Sequence, residues 1–155
     1  MTNSGQTAID KTSPKLELLW LKCNNFVAIS FTMDEEQIWN EIGGEGFERI
    51  TKFFYEGVRR DSLLGPMYPA DDWEGAESRL ALFLKFRFGA DQTYLEERGH
   101  PRLRARHMPF AIGEAERDRW LDLMETAIKK EGVAADTRVT LMTFFAGIAD
   151  FMRNH

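Results

Sequence analysis

The stretch that decides the fold lies about two-thirds of the way along the chain and reads Gly99-His100-Pro101-Arg102-Leu103-Arg104-Ala105-Arg106-His107-Met108-Pro109-Phe110. Pro101 suits the first turn of a helix, and Pro109 disfavours helical geometry at the residue before it. The two prolines therefore predict a short helix that ends near His107. Because the stretch also holds two of the chain's three histidines, it is the first candidate for a functional site.

On both sides of this stretch, apolar residues recur at helical spacing from Asp34 onward, and no segment alternates in the manner of a strand. The stripe of Phe47, Ile50 and Phe54 is typical of a helix with one buried face. The predicted helices cover residues 34–42, 46–60, 72–88, 101–108, 114–130 and 136–152, with a stop at Gly43-Gly44 and a polar loop over 89–99. The sequence thus predicts an all-α fold.

The composition favours a single domain and excludes some classes of partner. With 155 residues, the chain is long enough to bury one sizeable core and short for two. The 20 Lys and Arg against 25 Asp and Glu give a net charge of -5, which disfavours nucleic acid and anionic lipid as partners. Cys23 is the only cysteine, so an internal disulfide and an all-cysteine metal site are excluded.

Residues 1–32 begin polar and become apolar without a period that continues into the rest of the chain. We interpret them as an N-terminal appendage, either non-native or disordered, to a domain over residues 33–155 that originally began at Met33. The apolar run over residues 16–31 is interrupted by Lys22 and is shorter than the roughly 20 residues that span a bilayer. No membrane association and a cytoplasmic location are therefore predicted.

The histidines and arginines of the 99–110 stretch admit several kinds of chemistry. His100 and His107 are separated by seven positions with no acidic residue between them, which disfavours a zinc or di-iron site built from several side chains. The local arginines could meet nucleic-acid phosphates, but no array of aromatic side chains for base stacking accompanies them. A single histidine can hold a haem iron, whereas a histidine beside an apolar surface is more often structural. The residues alone leave both interpretations of His107 open.

A haem would also need an apolar slot and cations beside its carboxylates. The candidates for the slot are Leu80, Phe83, Phe110, Ile112 and Met124. The candidates for charge-assisted hydrogen bonds to the carboxylates are Arg79, Arg104 and Arg106. Each has an ordinary alternative role, in core packing for the apolar residues and on a solvated surface for the arginines.

The 99–110 stretch, followed by Ile112-Gly113 and Glu116-Arg117-Asp118-Arg119-Trp120-Leu121, resembles the group II truncated haemoglobins, often called O-type. The resemblance covers residues 37 to about 151 and is supported by Phe54-Tyr55 and Met67-Tyr68-Pro69. It implies a globin-like two-over-two helical sandwich around one b-type haem. Gly89 is followed by Ala90, where this family commonly has a second glycine.

The resemblance also implies roles for eight residues. His107 matches the proximal ligand of the haem iron, and Arg79 and Arg106 match positions that face the haem propionates. The distal positions, which face a ligand bound to the iron, are matched by Tyr55, Tyr68, Ala76, Leu80 and Trp120. Because alanine stands where many globins have a distal histidine, hydrogen bonds to the ligand would come from the two tyrosines and the tryptophan.

The implied function is the binding of dioxygen, and of nitric oxide or carbon monoxide, at this haem. The alternative is a haem redox enzyme of the peroxidase or nitric-oxide-dioxygenase type, since the distal donors would polarise an oxygen species in both cases. The expected partners are a diatomic ligand, an unidentified reductase and a second copy of the chain in a homodimer.

Overall fold

The computed structural model describes residues 35–155, so the predicted appendage over residues 1–32 and the predicted start at Met33 lie outside the described residues. Six α-helices and one turn of 3-10 helix at Gly65–Met67 make up the described part. The helices are α1 (Glu35–Val58), α2 (Trp73–Gly89), α3 (Thr93–Arg98), α4 (Leu103–His107), α5 (Glu114–Glu131) and α6 (Ala135–Met152). No strand occurs between residues 35 and 155, which confirms the all-α prediction.

The first helix bends at Gly43-Gly44, where the sequence predicts a stop. Gly43 has a φ of 64° and a ψ of 176°, a conformation that is essentially restricted to glycine, and the chain is helical on both sides of it. The predicted stop is therefore confirmed as a break in helical geometry, and the two predicted helices are the segments on either side of it. The second segment buries Phe47, Ile50 and Phe54, as the apolar stripe predicts.

The end of α2 depends on a left-handed residue that is not glycine. Ala90 follows the helix with a φ of 55° and a ψ of 25°, and its N–H donates to the carbonyl oxygen of Lys85. A left-handed residue often ends a helix in this way, and it is usually glycine because a Cβ atom is unfavourable there. Ala90 thus adopts the conformation that a second glycine would supply.

The region predicted as a polar loop over residues 89–99 contains the helix α3. Its start is fixed by Asp91, whose carboxylate accepts hydrogen bonds from the backbone N–H and the hydroxyl of Thr93 at 2.9 and 2.6 Å. The buried ring of Tyr94 anchors it against Phe83, with ring centroids 5.7 Å apart. The loop prediction is wrong because a helix this short shows no apolar period.

The four long helices pack in two layers. α1 pairs with α2 and α5 pairs with α6, while α1 of the first pair also lies against α5 of the second. The largest fully buried side chains of the shared core are Phe47, Ile50, Phe54, Leu84, Met124, Ile128 and Leu141. The short helices are peripheral, since α3 packs on α2 and α4 packs on α6. Within residues 35–155, no helix combines the length and the apolar character that crossing a membrane requires.

Close contact between α1 and the end of α2 requires a glycine at position 89. A Cβ atom on Gly89 would lie 2.4 Å from the ring of Trp39. We therefore expect Gly89→Ala to lower the free energy of unfolding by about 1 to 3 kcal/mol, the usual cost of overpacking a core. Urea unfolding followed by far-ultraviolet circular dichroism measures this difference.

The matched control for that substitution is Gly44→Ala. A Cβ atom there would meet the side chains of Lys85 and Trp39 at ordinary distances of 3.5 and 3.6 Å. Because alanine is more favourable than glycine in a helix by roughly 0.5 to 1 kcal/mol, this variant should be at least as stable as the wild type. Equal stability of Gly89→Ala and the wild type would show that Trp39 moves aside without cost.

Candidate functional site

A cavity of about 550 Å³ is lined by side chains from all six helices. Its volume falls within the range of about 300 to 1,000 Å³ that is usual for small-molecule sites. The lining is mainly apolar and includes four of the five predicted slot residues, Leu80, Phe83, Phe110 and Ile112. Met124, the fifth, was wrongly placed, because it lies outside the lining and is fully buried in the core.

All eight site residues predicted from the resemblance line this cavity. They are Tyr55 on α1, Tyr68 between α1 and α2, Ala76, Arg79 and Leu80 on α2, Arg106 and His107 on α4, and Trp120 on α5. The fold therefore brings residues that are far apart in the sequence to the wall of one apolar space.

His107 is half-buried at the end of α4, and the helix itself orients the imidazole ring. The Nδ1 atom lies 2.7 Å from the carbonyl oxygen of Leu103, one turn earlier. Since a carbonyl oxygen can only accept, Nδ1 is the donor in this bond, and in the neutral ring with the proton on Nδ1 the lone pair is on Nε2. A neutral imidazole held in this way by a carbonyl group is the form that binds metal ions.

The other histidine near this helix has a different environment. His100 is half-buried and lies outside the lining of the cavity. Its Nδ1 is buried and has no hydrogen-bond partner within residues 35–155. Among the described residues, His107 is thus the only histidine on the cavity wall, which agrees with a structural role for His100.

Polar aromatic side chains form another part of the wall. Tyr68 stacks on Trp73 with ring centroids 5.6 Å apart, and it meets Tyr55 edge-on at 5.6 Å. Trp120 packs on Phe145 at 5.6 Å. Ring contacts and burial together restrict the rotation of these side chains, so the polar atoms of the rings have defined positions.

The polar atoms of Tyr55, Tyr68 and Trp120 interact with one another. Tyr68 is the hydrogen-bonding partner of both other residues. Burial, together with the neighbouring Tyr68, holds the pKa of Tyr55 well above its ordinary value of 10.0. Burial also raises the pKa of Tyr68, although its hydrogen bonds with Tyr55 and Trp120 act to lower it. Both phenols are therefore protonated at neutral pH and can donate.

The direction of these hydrogen bonds follows from the chemistry of the groups. An indole N–H can only donate, so Tyr68 accepts from Trp120. The interaction with Tyr55 acts to raise the pKa of Tyr55 and to lower that of Tyr68, a pattern that fits Tyr55 as the donor and Tyr68 as the acceptor. With this polarity, the Tyr68 hydroxyl keeps its own proton to donate to a ligand in the cavity.

The raised pKa of Tyr55 predicts a loss of stability at alkaline pH. Above about pH 10 the phenol ionises in the unfolded chain, whereas in the folded protein it keeps its proton. The folded state then binds more protons, so the free energy of unfolding falls as pH rises, by at most about 1.4 kcal/mol per pH unit. Urea unfolding should show a shallower decline above about pH 10 for Tyr55→Phe than for the wild type. Parallel declines would contradict the raised pKa.

Arg79 and Arg106 line the cavity, and each is held by a partner in the protein. Arg79 forms an ion pair with Asp72 at 2.7 Å. Arg106 donates from Nε to the carbonyl oxygen of Pro101 at 2.8 Å and from Nη2 to that of Arg98 at 2.9 Å. These bonds hold both guanidinium groups at the wall. The Nη1 of Arg106 takes part in neither of the two short bonds.

Two further residues of the wall, Tyr94 and Arg98 on α3, were not predicted from the sequence. They are hydrogen-bonding partners of each other. The signal that could have predicted α3, and with it these two residues, is Asp91. It stands two positions before Thr93, and an aspartate in such a place often starts a helix. Arg104, one of the three arginines considered for the haem carboxylates, lies outside the lining and donates to a carbonyl oxygen beyond α6.

Comparison with known proteins agrees with this geometry. Residues 37–154 match the model of the bacterial-like globin family. The chain belongs to this family. The globin is 38% identical over 100 residues to group 2 truncated hemoglobin YjbI of Bacillus subtilis, an alignment that covers 64% of this chain and 75% of the relative. It is 27% identical over 128 residues to two-on-two hemoglobin-3 of Arabidopsis thaliana, covering 81% and 73%.

Solved structures extend the comparison to the fold of this globin. The thermostable hemoglobin of Thermobifida fusca is 44% identical, with a TM-score of 0.72 over 76% of this chain and 96% of that chain. The truncated oxygen-avid haemoglobin of Bacillus subtilis is 35% identical, with a TM-score of 0.71 over 76% and 98%. The two layers of paired helices are thus the two-over-two fold, and the predicted membership of the group II truncated haemoglobins is confirmed.

The residues around the cavity fit a haem, the cofactor that the globin family implies. The apolar lining suits the faces of a porphyrin. His107 presents an imidazole with a lone pair on Nε2, and Arg79 and Arg106 place positive charge at the same wall. Guanidinium groups form strong charge-assisted hydrogen bonds with carboxylates such as the propionates.

Proposed function

We propose that this globin binds a b-type haem with His107 as the proximal ligand and holds dioxygen, nitric oxide or carbon monoxide in the cavity. The observation that carries the proposal is His107 itself, whose Nδ1 donates to Leu103 at 2.7 Å and whose ring lines an apolar cavity. An imidazole fixed by such a hydrogen bond is oriented for a metal ion and made more basic. The oxygen-avid relative from Bacillus subtilis supports dioxygen as the ligand.

When bound, a ferrous haem supplies an iron atom with a position for a diatomic gas. His107 would hold the iron, and Arg79 and Arg106 would bind the propionates. Arg79 can do so while paired with Asp72, because that ion pair uses one of its nitrogen atoms. Arg106 has Nη1 to offer, since its two short bonds use Nε and Nη2.

Tyr68 is the residue that we expect to donate directly to the ligand. Its oxygen accepts from Tyr55 and Trp120, and hydrogen bonds in a chain strengthen one another, so its own O–H becomes a better donor. Ala76, at the position where many globins have a histidine, offers no polar group. The hydrogen bond to the ligand therefore depends on the Tyr68 hydroxyl and on the two residues that polarise it.

This arrangement predicts slow release of the ligand. When the ligand leaves, the hydroxyl of the half-buried Tyr68 loses its acceptor, and leaving such a donor unpaired costs about 1 to 3 kcal/mol. Since about 1.4 kcal/mol corresponds to a factor of ten, release should be roughly tenfold to a hundredfold slower than from a cavity without the donor. Slow release suits sensing, scavenging or ligand chemistry better than bulk transport of oxygen.

An absorption spectrum tests the proposal. The purified protein is mixed with haemin and measured before and after addition of dithionite, and again after carbon monoxide. We expect one haem per chain, a ferrous spectrum typical of a single imidazole ligand and a shift of the Soret band with carbon monoxide. A Soret band that stays at the position of free haem would reject haem binding at this cavity.

Turnover assays separate the gas-binding function from the redox enzymes. With peroxide and a reducing substrate, we expect the haem-loaded protein to turn over no faster than free haem. A faster rate would favour a haem enzyme of the peroxidase type. Catalytic consumption of nitric oxide by the oxygen-loaded protein, sustained by a reductase that returns the iron to the ferrous state, would favour the dioxygenase.

A further inference from the structure

The short helix α4, which carries His107, has little packing of its own to hold it. None of its five residues is buried. The helix follows Arg102, which has a left-handed φ of 41°, and it leads into the exposed residues Met108 and Pro109. Apolar burial is the main term that fixes a helix in a fold, and in α4 it is limited to the partly buried Leu103, so polar contacts must help to set the position of this helix.

Asn154, just beyond α6, makes several of these contacts. Its side-chain Nδ2 donates to the carbonyl oxygen of Phe110 at 2.8 Å and lies 3.3 Å from that of His107. Its Oδ1 accepts from the backbone N–H of Ile112 at 3.0 Å, and its own backbone N–H donates to the carbonyl oxygen of Ile112 at 3.0 Å. One asparagine thus binds the last residue of α4 and the loop that follows it.

Arg104 connects the same two parts of the chain. Its Nη1 donates to the carbonyl oxygen of Arg153 at 3.0 Å and also to that of Phe151. The guanidinium group lies over the Phe151 ring, 5.4 Å from the ring centroid. The segment 151–154 is therefore attached both near the start of α4, at Arg104, and at its end, at His107.

We propose that Asn154 is a positioning residue that sets the orientation of the His107 imidazole toward the cavity. The inference rests on the proposed function, because it concerns His107 as an iron ligand. The backbone of His107 is held through its carbonyl oxygen by Asn154, while the ring is held through Nδ1 by Leu103. When the contact with Asn154 is lost, the end of α4 can shift. The bond between the His107 ring and Leu103 lies within α4, so it moves with the helix.

The test compares three variants of the full chain. Asn154→Ala removes all side-chain contacts. Asn154→Asp keeps an oxygen for the N–H of Ile112 but replaces the Nδ2 donor by an acceptor that faces the carbonyl oxygens of His107 and Phe110. Asn40→Ala, which removes an exposed amide from α1 and leaves the cavity untouched, is the matched control.

Two readouts report on the iron ligand. The iron–imidazole stretching band of the ferrous protein, measured by resonance Raman spectroscopy, should shift in both Asn154 variants and stay in place in Asn40→Ala. In both Asn154 variants, transfer of haem to an excess of a haem-free acceptor globin should be faster than in the wild type by roughly tenfold or more. This is the usual effect of losing an outer contact to a metal ligand. An unchanged band and an unchanged transfer rate in Asn154→Ala would overturn the inference.

Hydrogen exchange separates positioning from simple attachment and needs no bound haem. In the chain as purified, the amide of Ile112 should exchange faster in Asn154→Ala but keep its protection in Asn154→Asp. A shifted iron–imidazole band in Asn154→Asp together with a protected Ile112 amide would assign the effect to the Nδ2 contacts. Unchanged Ile112 exchange in Asn154→Ala would overturn the attachment itself. Failure of the wild type to take up haem would instead overturn the proposed function, and the exchange result would still decide the attachment.

Discussion

His107→Ala is expected to abolish stoichiometric binding of haem. His107 is the only histidine on the cavity wall among residues 35–155, and its Nδ1 bond to Leu103 leaves Nε2 as the donor atom for iron. Removing the imidazole leaves a cavity wall that, within residues 35–155, has no other histidine to hold the metal. Titration with haemin, followed at the Soret band, measures the stoichiometry and the affinity.

Two controls make this prediction specific. His100→Ala removes a histidine from the same stretch but outside the cavity, so it should bind haem as the wild type does. In His107→Gly, added imidazole can occupy the space of the missing ring and should restore the spectrum of a single imidazole ligand. A normal Soret band in His107→Ala, without added imidazole, would contradict the assignment of the proximal ligand.

Tyr68→Phe is expected to speed the release of dioxygen by roughly tenfold to a hundredfold. A hydrogen bond to a charged or strongly polarised group contributes about 1.5 to 3 kcal/mol, and about 1.4 kcal/mol corresponds to a factor of ten. Phenylalanine keeps the ring contacts with Trp73 and Tyr55 but removes the hydroxyl. Stopped-flow displacement of dioxygen by carbon monoxide measures the rate.

Trp120→Phe should also speed release, but less, by about twofold to tenfold, because it removes a neutral hydrogen bond to the Tyr68 oxygen. If Trp120 acts through Tyr68, the double variant should release dioxygen at the rate of Tyr68→Phe alone. Tyr94→Phe is the matched control, since it removes a phenol group that lies on the same cavity wall and has Arg98 as its partner. Its release rate should equal that of the wild type. An unchanged rate in Tyr68→Phe would show that Tyr55 or Trp120 holds the ligand directly.

The long helices could be predicted because their cores repeat an apolar pattern over several turns, as the stripe of Phe47, Ile50 and Phe54 shows. The interruption at Gly43 could be predicted from its pair of glycines. The helix α3 could not be predicted from the apolar pattern, because six residues are too few to show a period. The start of α3 depends instead on one local bond between Asp91 and Thr93.

The candidate site could be predicted only in part from physical chemistry. From the residues alone, a structural role is the commoner one for a histidine such as His107, and the resemblance to a family was needed to favour iron. Arg104 and Arg106 show the limit of reasoning from charge, since both were candidates for the haem edge and only Arg106 lines the cavity. The contacts of Asn154 leave no pattern in the sequence, because most of them are made to backbone atoms of a distant segment.

The absence of any buried residue in α4 has a consequence for how the cofactor enters the protein. Elements with few buried contacts open at a low free energy, while a packed core opens only in global unfolding. We expect the wall that carries His107 to open locally more often than the paired long helices, to the extent that its bonds to residues 151–154 allow. With the proposed haem bound, the cofactor would enter and leave through this wall without global unfolding, and the opening of α4 would set the lifetime of the loaded state.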